Sequence, residues 1–322
     1  MHGTASVACA GSLVVLYHNT LGPAFKKTTG DNYGGPPCAG SLALAQDIIS
    51  NEIDPGVFLA IGAKAIKELF PDKRAKFALA VAADPLVIGY SSKSRYFKQL
   101  NEIRKGKKPL SYLFKLFTTP GFRLGRTDPT QDPQGTFFIL MTKIAERVLR
   151  LRNGEAEKAL GITASKPFGS ASQMYDEDAL PTDIKEGIVD AGSEYLPEAR
   201  QNGLDYITLP PALDFASPSE LKLYSTVSLN VAGSVQQGEV IYLNVALVSP
   251  HKGTTLSAAN SAADKAFVEF MLRPKARNDL ERVGYILRPP VVHLVSGYTA
   301  RRALPAPIYA LYKKLGGTVS SS

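Results

Sequence analysis

The stretch Gly125–Phe138, GRTDPTQDPQGTFF, places two Asp-Pro pairs and a glycine immediately before an apolar run. Proline fixes the backbone φ angle and suits the first turn of a helix, and aspartate is common just before that turn. The stretch therefore predicts a rigid turn leading into a helix that begins at Pro133. Its two acids need an explanation, because the histidines and cysteines of the chain form no metal-ligand pattern.

The composition is that of a globular protein. Hydrophobic residues make up 44% and charged residues 20% of the 322 positions. This length favours two domains, and no apolar run approaches the roughly 18 residues that cross a bilayer. The net charge of +8 is spread without a long basic tract. It indicates a solvated basic surface that can steer anions, not a nucleic-acid-binding face.

The amino-terminal region bears on the location of the protein. MHGTASVACAGS has the small residues of the end of a secretion signal but lacks its basic and long apolar parts. We expect that a signal peptide has been removed, that Met1 was added, and that the protein is periplasmic or at the cell surface. Cys9 and Cys38 lack CxxC spacing, so a zinc site is not expected, and the sequence leaves open whether they form a disulfide.

Apolar runs alternate with amphipathic segments, which predicts an α/β fold whose sheets are mixed, mostly parallel and flanked by helices. Buried strands are expected at LVVLY (13–17), VFLAIGA (57–63), FALAVAADPLVIGY (77–90) and GEVIYLNVALVSP (238–250). Helices are expected from Ser41, as an N-cap, from Pro133, and as a pair interrupted at Pro274. The organisation predicts two lobes, lobe I of residues 1–90 plus 241–322 and lobe II of residues 91–240.

Three predicted turns place small polar residues directly before a helix. They are Asn19-Thr20, Gly40-Ser41 and Asp132–Gly135. Helix starts have free N–H groups and a partial positive charge, so they bind anions. The plainer interpretation is that these residues are ordinary helix caps. No GxSxG, P-loop or GxGxxG motif gives positive support to a hydrolase, a phosphoryl-transfer enzyme or a dinucleotide-binding enzyme.

The order of segments resembles the tungstate/molybdate-binding proteins of ABC importers, which have the two-lobed type II periplasmic-binding-protein fold. LYHNTL is similar to the family's FHAGSL and places Thr20 at its serine, and Gly40-Ser41 matches the family's next GS. GRTDPTQDPQG is similar to GRSDPNxDPCGYR, and YLPEARQNGLDYITLP is similar to YESVAVQHGLKYIELP. The resemblance covers most of the chain, from LVVLYHNTL to ERVGY.

The resemblance implies a ligand site made of Asn19, Thr20, Ser41, Asp132, Gly135, Glu194 and Tyr195. In the family, the aspartate that matches Asp132 and a glutamate coordinate the metal centre of the oxyanion. Two departures stand out, since an arginine of the family is missing in 135–137 and Leu196 occupies the position of that glutamate. Glu194 lies two residues earlier, on the same face of a strand, and is the candidate substitute.

An acid in the site limits which oxyanion fits. A carboxylate and a dianion about 4 Å apart repel by about 8 kcal/mol at an effective dielectric constant of about 20. Molybdenum and tungsten can accept a carboxylate oxygen as a further ligand, and hydrogen phosphate can donate its proton, whereas sulfate can do neither. Alternative roles remain for each residue: Asp132 as a helix cap, Asp128 likewise, Arg126 in a structural ion pair and Tyr195 in packing.

Together these points predict an extracytoplasmic solute-binding protein of an ABC importer. It would capture a tetrahedral oxyanion, preferably molybdate or tungstate, between two lobes by hinge closure and deliver it to a membrane permease. We expect a monomer without cofactor, metal site, catalytic residue or nucleic-acid partner. The alternatives are a binder of phosphate, sulfate or another small anion, a deaminase-like enzyme on the same scaffold that uses Cys38 or cleft acids, and a ligand-sensing regulatory domain.

Overall fold

The computed structural model describes residues 2–320. Met1, Ser321 and Ser322 lie outside the described residues, and so does the expectation that Met1 was added. The chain divides into two compact units. The first comprises the chain up to Ala83 and from Tyr242 onward, and the second is Asp84–Ile241. The sequence places these boundaries at 90/91 and 240/241, so the observed first boundary is earlier by one short strand.

The secondary structure alternates as the α/β pattern predicts. In chain order the strands are β1 (Thr4–Cys9), β2 (Asn32–Gly34), β3 (Val57–Ile61), β4 (Phe77–Ala83), β5 (Leu86–Tyr90), β6 (Leu124–Thr127), β7 (Met174–Tyr175), β8 (Ala191–Tyr195), β9 (Asp205–Thr208), β10 (Ser228–Val231), β11 (Ser234–Gln237), β12 (Tyr242–Leu247), β13 (Ile286–Leu294) and β14 (Thr318–Val319). The α-helices are α1 (Val14–Leu16), α2 (Gly22–Thr29), α3 (Ser41–Ser50), α4 (Ala63–Lys67), α5 (Phe97–Arg104), α6 (Tyr112–Phe117), α7 (Pro133–Val148), α8 (Glu155–Leu160), α9 (Leu180–Lys185), α10 (Leu196–Gln201), α11 (Pro211–Asp214), α12 (Leu221–Tyr224), α13 (Ala258–Met271), α14 (Pro274–Val283), α15 (Ala300–Ala303) and α16 (Ala306–Lys314). No helix within residues 2–320 is both long and apolar enough to span a bilayer.

The first unit is built on a seven-stranded sheet in the order β14-β13-β4-β12-β3-β1-β2. β1 is parallel to β2 and β3, whereas β12 runs antiparallel to β3 and β4. β3 is buried along its whole length, because helices cover the sheet. Part of this core is a cluster in which Phe58 and Ala60 pack with Leu44 and Ile48 of α3 and Ile66 of α4.

The second unit is built on a five-stranded sheet in the order β7-β6-β8-β5-β9, with a separate hairpin of β10 and β11. β6 is parallel to β7 and β8, whereas β5 runs antiparallel to β8 and β9. The expectation of a mixed sheet in each lobe is confirmed, and parallel and antiparallel pairings are balanced in both sheets. The antiparallel pairings arise because strands such as β12 and β5 run antiparallel to both of their neighbours.

Several predictions of local structure are confirmed. VFLAI forms β3, the run broken by Asp84-Pro85 forms the two strands β4 and β5, and the apolar segment after residue 241 forms β12. α7 begins at Pro133, and α13 and α14 are separated just before Pro274. At Pro85, Pro133 and Pro274, the spacing of apolar residues and the proline indicate the same boundary.

The prediction of a strand at LVVLY is wrong. This segment lies in a continuous helical run that begins with a 3₁₀ turn at Gly11–Leu13, continues through α1 and a π-helical turn at Tyr17–Leu21, and passes into α2. Its buried residues follow helical spacing, with Leu13, Leu16 and Tyr17 inside while Val14 is 36% exposed. A short apolar run fits either a helix or a strand, and tertiary burial decides here. The first strand is Thr4–Cys9 instead.

Candidate functional site

In the second unit, the candidate residues lie at the carboxyl ends of β6 and β8, which are parallel neighbours. β6 ends at Thr127, and a turn through Asp132 leads into α7. β8 ends at Tyr195, and α10 follows at once. Parallel strands end at the same edge of a sheet, which is where open α/β sheets bind their ligands.

The turn between β6 and α7 is held by Asp128. One carboxylate oxygen of Asp128 accepts hydrogen bonds from the backbone N–H and the hydroxyl of Thr130, each at 2.8 Å. Its carbonyl accepts from the N–H of Asp132 at 2.9 Å. Gly135 fits closely beneath this turn, since a Cβ there would lie 2.2 Å from the carbonyl oxygen of Thr127. Asp128 therefore shapes the turn, and Gly135 allows α7 to approach it.

Asp132 stands directly before α7 with extended backbone, but its side chain does not cap the helix. The side chain is 2% exposed, and neither carboxylate oxygen makes a hydrogen bond of normal geometry within residues 2–320. Burial raises the pKa of Asp132 to about 6, and the nearby Thr127 hydroxyl and Gln134 N–H partly oppose that rise. Asp132 is thus a buried acid that is mostly ionised at neutral pH.

Two further buried acids lie beside Asp132. Burial raises the pKa of Glu194 to about 8, the nearby Glu198 side chain partly opposes this, and the charges of Glu177 and Asp132 add to the rise. Burial also raises the pKa of Glu198, with Glu194 as the next cause. Because two neighbouring buried carboxylates repel each other when both are ionised, we infer that Glu194 and Glu198 hold at least one proton between them at neutral pH.

Polar side chains connect these acids to α7. The hydroxyl of Ser193 donates to Gln134 Oε1 at 2.9 Å, and Gln134 Nε2 donates to Glu198 Oε2 at 3.2 Å. The hydroxyl of Tyr195 is fully buried and has no hydrogen-bond partner among the described residues. Burial raises the pKa of Tyr195, and Asp132 is the largest charged contributor, so this hydroxyl belongs to the same cluster.

Glu194 and Leu196 adjoin the same part of the core. A Cβ added at Gly89 would lie 2.6 Å from Cγ of Glu194 and 3.4 Å from Leu204, so the Glu194 side chain covers Gly89. Leu196 packs against the hydrophobic cluster that contains Leu204. Leu196 is therefore a packing residue, and the carboxylates of this region belong to Glu194 and Glu198, two residues to either side of it.

Arg126 is fully buried on β6. Its guanidinium donates to the carbonyls of Phe168 and Ser170, the latter at 3.4 Å, and to Gln173 Oε1 at 3.3 Å. Burial lowers its pKa to about 10, and the charge of Asp128 opposes that change. Arg126 thus ties β6 to the loop before β7, and no ion pair to an acid occurs for it in the described part of the chain.

In the first unit, two helical segments start after the adjacent parallel strands β1 and β2. One begins at Gly11 and the other, α3, at Ser41. The Ser12 hydroxyl is in the first of these turns, is 5% exposed and has no hydrogen-bond partner among residues 2–320. In this turn the N–H of Gly11 donates to the carbonyl of Ala39 and that of Leu13 to the carbonyl of Ala10. The candidate donors to an anion at this edge are therefore the Ser12 hydroxyl and the first N–H groups of α3, which have no intrahelical partner.

The predicted residues of the first unit fare differently. Ser41 is the first residue of α3 and not its N-cap, which is Gly40, and its hydroxyl accepts from the Ile61 N–H at 3.1 Å. The prediction that Asn19 and Thr20 stand between a strand and a helix start is wrong, because both lie in the π-helical turn. At about 1.5 Å per residue they are more than 10 Å beyond the start of that helical run, and Asn19 is exposed.

Sequence reasoning missed Ser12, Thr127, Gln134 and Glu198. A signal for Ser12 was present, because Ala10–Leu13 reads AGSL, the last four letters of the motif FHAGSL that was matched to LYHNTL. Glu198 stands in the aligned segment YLPEA, but only the end of β8 and the immediate start of α10 bring it to Glu194. Within residues 2–320, no three His, Cys, Asp or Glu side chains are arranged to hold a metal ion.

The fold is that of the type II periplasmic binding proteins. The periplasmic molybdate-binding protein of Azotobacter vinelandii aligns with 88% of this chain and 99% of its own length, at a TM-score of 0.52 and 18% identity. The sulfate-binding protein SubI of Mycobacterium tuberculosis aligns with 99% of this chain and 94% of its own, at 0.53 and 12%. At such identities the likeness defines the fold alone.

The chain belongs to the family of bacterial extracellular solute-binding proteins, whose model matches residues 5–286. An uncharacterized solute-binding protein of Saccharolobus solfataricus is 26% identical over 289 residues, which cover 85% of this chain and 68% of that protein. The molybdate/tungstate-binding protein of Pyrococcus abyssi is 26% identical over 243 residues, 70% of this chain and 67% of that protein.

Proposed function

We propose that this protein captures a tetrahedral oxyanion outside the cytoplasm and delivers it to the permease of an ABC importer, with molybdate and tungstate as preferred ligands. One observation carries the proposal. In each unit, buried polar groups without a hydrogen-bond partner among residues 2–320 lie at the carboxyl ends of parallel strands, namely Ser12 in the first unit and Asp132 and Tyr195 in the second. Buried polar atoms are almost always hydrogen-bonded, so groups concentrated at these edges suit a polar ligand.

The chemistry of the first unit favours an anion. The Ser12 hydroxyl and the first N–H groups of α3 are donors, and the dipole of α3 adds partial positive charge. A tetrahedral oxyanion is an acceptor on every oxygen. We assign Ser12 and the backbone of Ser41 to this donor set and omit Asn19 and Thr20 from it.

The chemistry of the second unit narrows the anion. The Tyr195 hydroxyl and a protonated Glu194–Glu198 pair can donate to the oxyanion, whereas the ionised Asp132 would repel it. This repulsion is relieved if the Asp132 carboxylate becomes a ligand of a molybdenum or tungsten centre. The Pyrococcus abyssi relative, named as a molybdate/tungstate-binding protein, supports the same choice.

Phosphate is the second candidate. Hydrogen phosphate carries a proton that it can donate to the Asp132 carboxylate, and this removes the repulsion without metal coordination. Sulfate has no proton to donate near neutral pH, so the same buried acid disfavours it. The preference between these anions is therefore a direct test of the role of Asp132.

We propose that capture uses the hinge closure known for this kind of fold. Binding and release suffice for this role, and no catalytic step is required. The solute-binding names of the relatives agree with transport and not with catalysis.

A thermal-unfolding titration with tungstate, molybdate, phosphate and sulfate tests the proposal. A ligand at a thousandfold excess over its Kd stabilises the folded state by about 4 kcal/mol, which raises Tm by about 6 °C for a chain of this length. We expect this rise with tungstate and molybdate, a smaller one with phosphate and none with sulfate. Asp132→Asn should reduce the tungstate shift by about a third for each tenfold rise in Kd, while the control Asp178→Asn, at an exposed position of the same unit, should keep it. Absence of any shift with all four anions would refute the proposal.

A further inference from the structure

Cys9 and Cys38 form a disulfide with their Cα atoms 4.7 Å apart. Cys9 is the last residue of β1, two positions before the helical start at Gly11. Cys38 is two positions before Gly40, the residue that precedes α3. The disulfide therefore joins the two chain segments that lead directly into the proposed anion-binding helix starts.

Backbone contacts extend this connection towards the helix starts. The N–H of Ala39 donates to the carbonyl of Cys9 at 3.2 Å, and the N–H of Gly11 donates to the carbonyl of Ala39 at 2.9 Å. Ala10 and Ala39 form a parallel bridge. The positions of the two starts are thus coupled through only a few bonds next to the disulfide.

The segment before Cys38 has little other means of attachment. Residues 35–40 form no helix and no continuous strand, and Pro36 and Pro37 have no N–H group to donate to β1. Gly35 approaches β1 closely, since a Cβ there would lie 2.1 Å from the carbonyl oxygen of Val7. Without the disulfide, the lead into α3 would be held by Gly35 packing and the hydrogen bonds of Ala39.

A second observation points to a ligand at the edge of the sheet where these two helices start. The Ser12 hydroxyl is buried in the first helical turn and has no hydrogen-bond partner in the described part of the chain. Ser41 opens the neighbouring helix α3, which has ten residues. An anion that accepts from both turns requires them at a fixed separation, because hydrogen bonds weaken steeply with distance and angle.

We propose that the Cys9–Cys38 disulfide positions these two helix starts for ligand, so that affinity for a tetrahedral oxyanion depends on the disulfide and not only on folding. The inference rests on the proposed function. The disulfide acts through the backbone of Gly11–Ser12 and Gly40–Ser41 and does not itself touch the ligand. Its loss would leave the donors present but would require the ligand to order them, which lowers affinity.

The test compares tungstate affinity by isothermal titration calorimetry in oxidised and reduced protein. A dithiol such as dithiothreitol transfers two electrons and two protons to the disulfide, which gives two thiols while the dithiol becomes a cyclic disulfide. The chain has two cysteines, so no other bond is affected. The double variant Cys9→Ala/Cys38→Ala reproduces the open state without reductant, and a buffer with sucrose keeps it folded, as circular dichroism verifies.

We expect the Kd for tungstate to rise about tenfold or more in the reduced protein and in the double variant, and to recover after reoxidation. A control variant, Leu280→Ala in the core of the same unit, lowers stability but should keep the wild-type Kd. Equal Kd values in the oxidised, reduced and double-variant proteins would overturn the positioning role and leave the proposed function intact. Failure of the oxidised protein to bind tungstate, molybdate or phosphate would overturn both.

Discussion

Replacing Glu194 by glutamine should stabilise the protein in the absence of ligand, and the effect should grow with pH. Glu194 is fully buried, and burial raises its pKa from 4.5 to about 8. The Glu194 carboxyl therefore binds a proton more tightly in the folded protein than in the unfolded chain. Stability is then largest below the unfolded pKa and falls as the pH rises from about 4.5 towards 8, because the carboxyl ionises more readily in the unfolded chain.

The magnitude follows from the two pKa values. Each unit of difference corresponds to about 1.4 kcal/mol, so the penalty is about 1 kcal/mol at pH 5 and about 4 kcal/mol at pH 8. Glutamine has nearly the same shape and cannot ionise, so Glu194→Gln removes this penalty. Since Glu198 lies beside it and also has a raised pKa, part of the penalty remains. We expect a gain of a few kcal/mol at pH 8 and little change at pH 5.

Urea unfolding of the ligand-free protein, followed by circular dichroism at pH 5 and pH 8, measures this difference. The control is Glu186→Gln in the same unit, because Glu186 is exposed and pairs with Lys93 at the surface. A surface pair contributes about 0–1 kcal/mol, so this variant should change little at either pH. A loss of stability in Glu194→Gln at pH 8, or an equal effect at both pH values, would refute the buried, protonated state of Glu194.

Three further changes test other parts of the account. Gly135→Ala should destabilise the protein by about 3 kcal/mol in urea unfolding, because its Cβ would lie 2.2 Å from the Thr127 carbonyl oxygen; unchanged stability would refute the tight turn. Ser12→Ala should weaken tungstate binding about tenfold in calorimetry but leave stability within about 1 kcal/mol, since its hydroxyl has no protein partner in residues 2–320. Loss of the Cys9–Cys38 disulfide should lower stability by about 3–4 kcal/mol, as expected for a loop of 29 residues, and a smaller loss would mean that the reduced chain keeps the loop closed.

The parts of the fold that could be predicted from sequence are those where pattern and punctuation agree. Asp84-Pro85 separates β4 from β5 because proline cannot continue the ladder at that point. Pro133 marks the start of α7 for the complementary reason that its missing N–H is not needed there. The turn GRTDPTQDPQG could be placed correctly because it combines both kinds of signal.

The first strand and the first helix could not be separated by the same means. Leu13–Leu16 is apolar without interruption, and such a run fits a buried strand as well as one side of a helix. In the structure this run is helical. The strand that lies between β2 and β3 is Thr4–Cys9, which ends before the apolar run begins. The misplacement affected the site prediction as well, because it matched the family's serine to Thr20, whereas we propose Ser12 for that position.

The acid cluster shows a second limit of sequence reasoning. The absence of a glutamate at position 196 suggested a weakened site, yet Glu194 and Glu198 both lie beside Asp132. Their proximity depends on β8 ending at Tyr195 and on α10 turning back immediately. The two-residue period of a strand predicts which face Glu194 lies on. Glu198 lies on the helix α10, so its position depends on where β8 ends and α10 begins. Alignment alone does not give that boundary.

Calorimetric titration of the oxidised protein with sodium tungstate tests the central claim most directly. We expect one-to-one binding with a Kd of about 1 μM or tighter, and a Kd at least about tenfold higher for Asp132→Asn with an unchanged circular dichroism spectrum. No binding of tungstate, molybdate or phosphate at about 1 mM, which limits the binding free energy to about −4 kcal/mol, would contradict it. Tungstate binding that Asp132→Asn leaves unchanged would contradict the assignment of that acid.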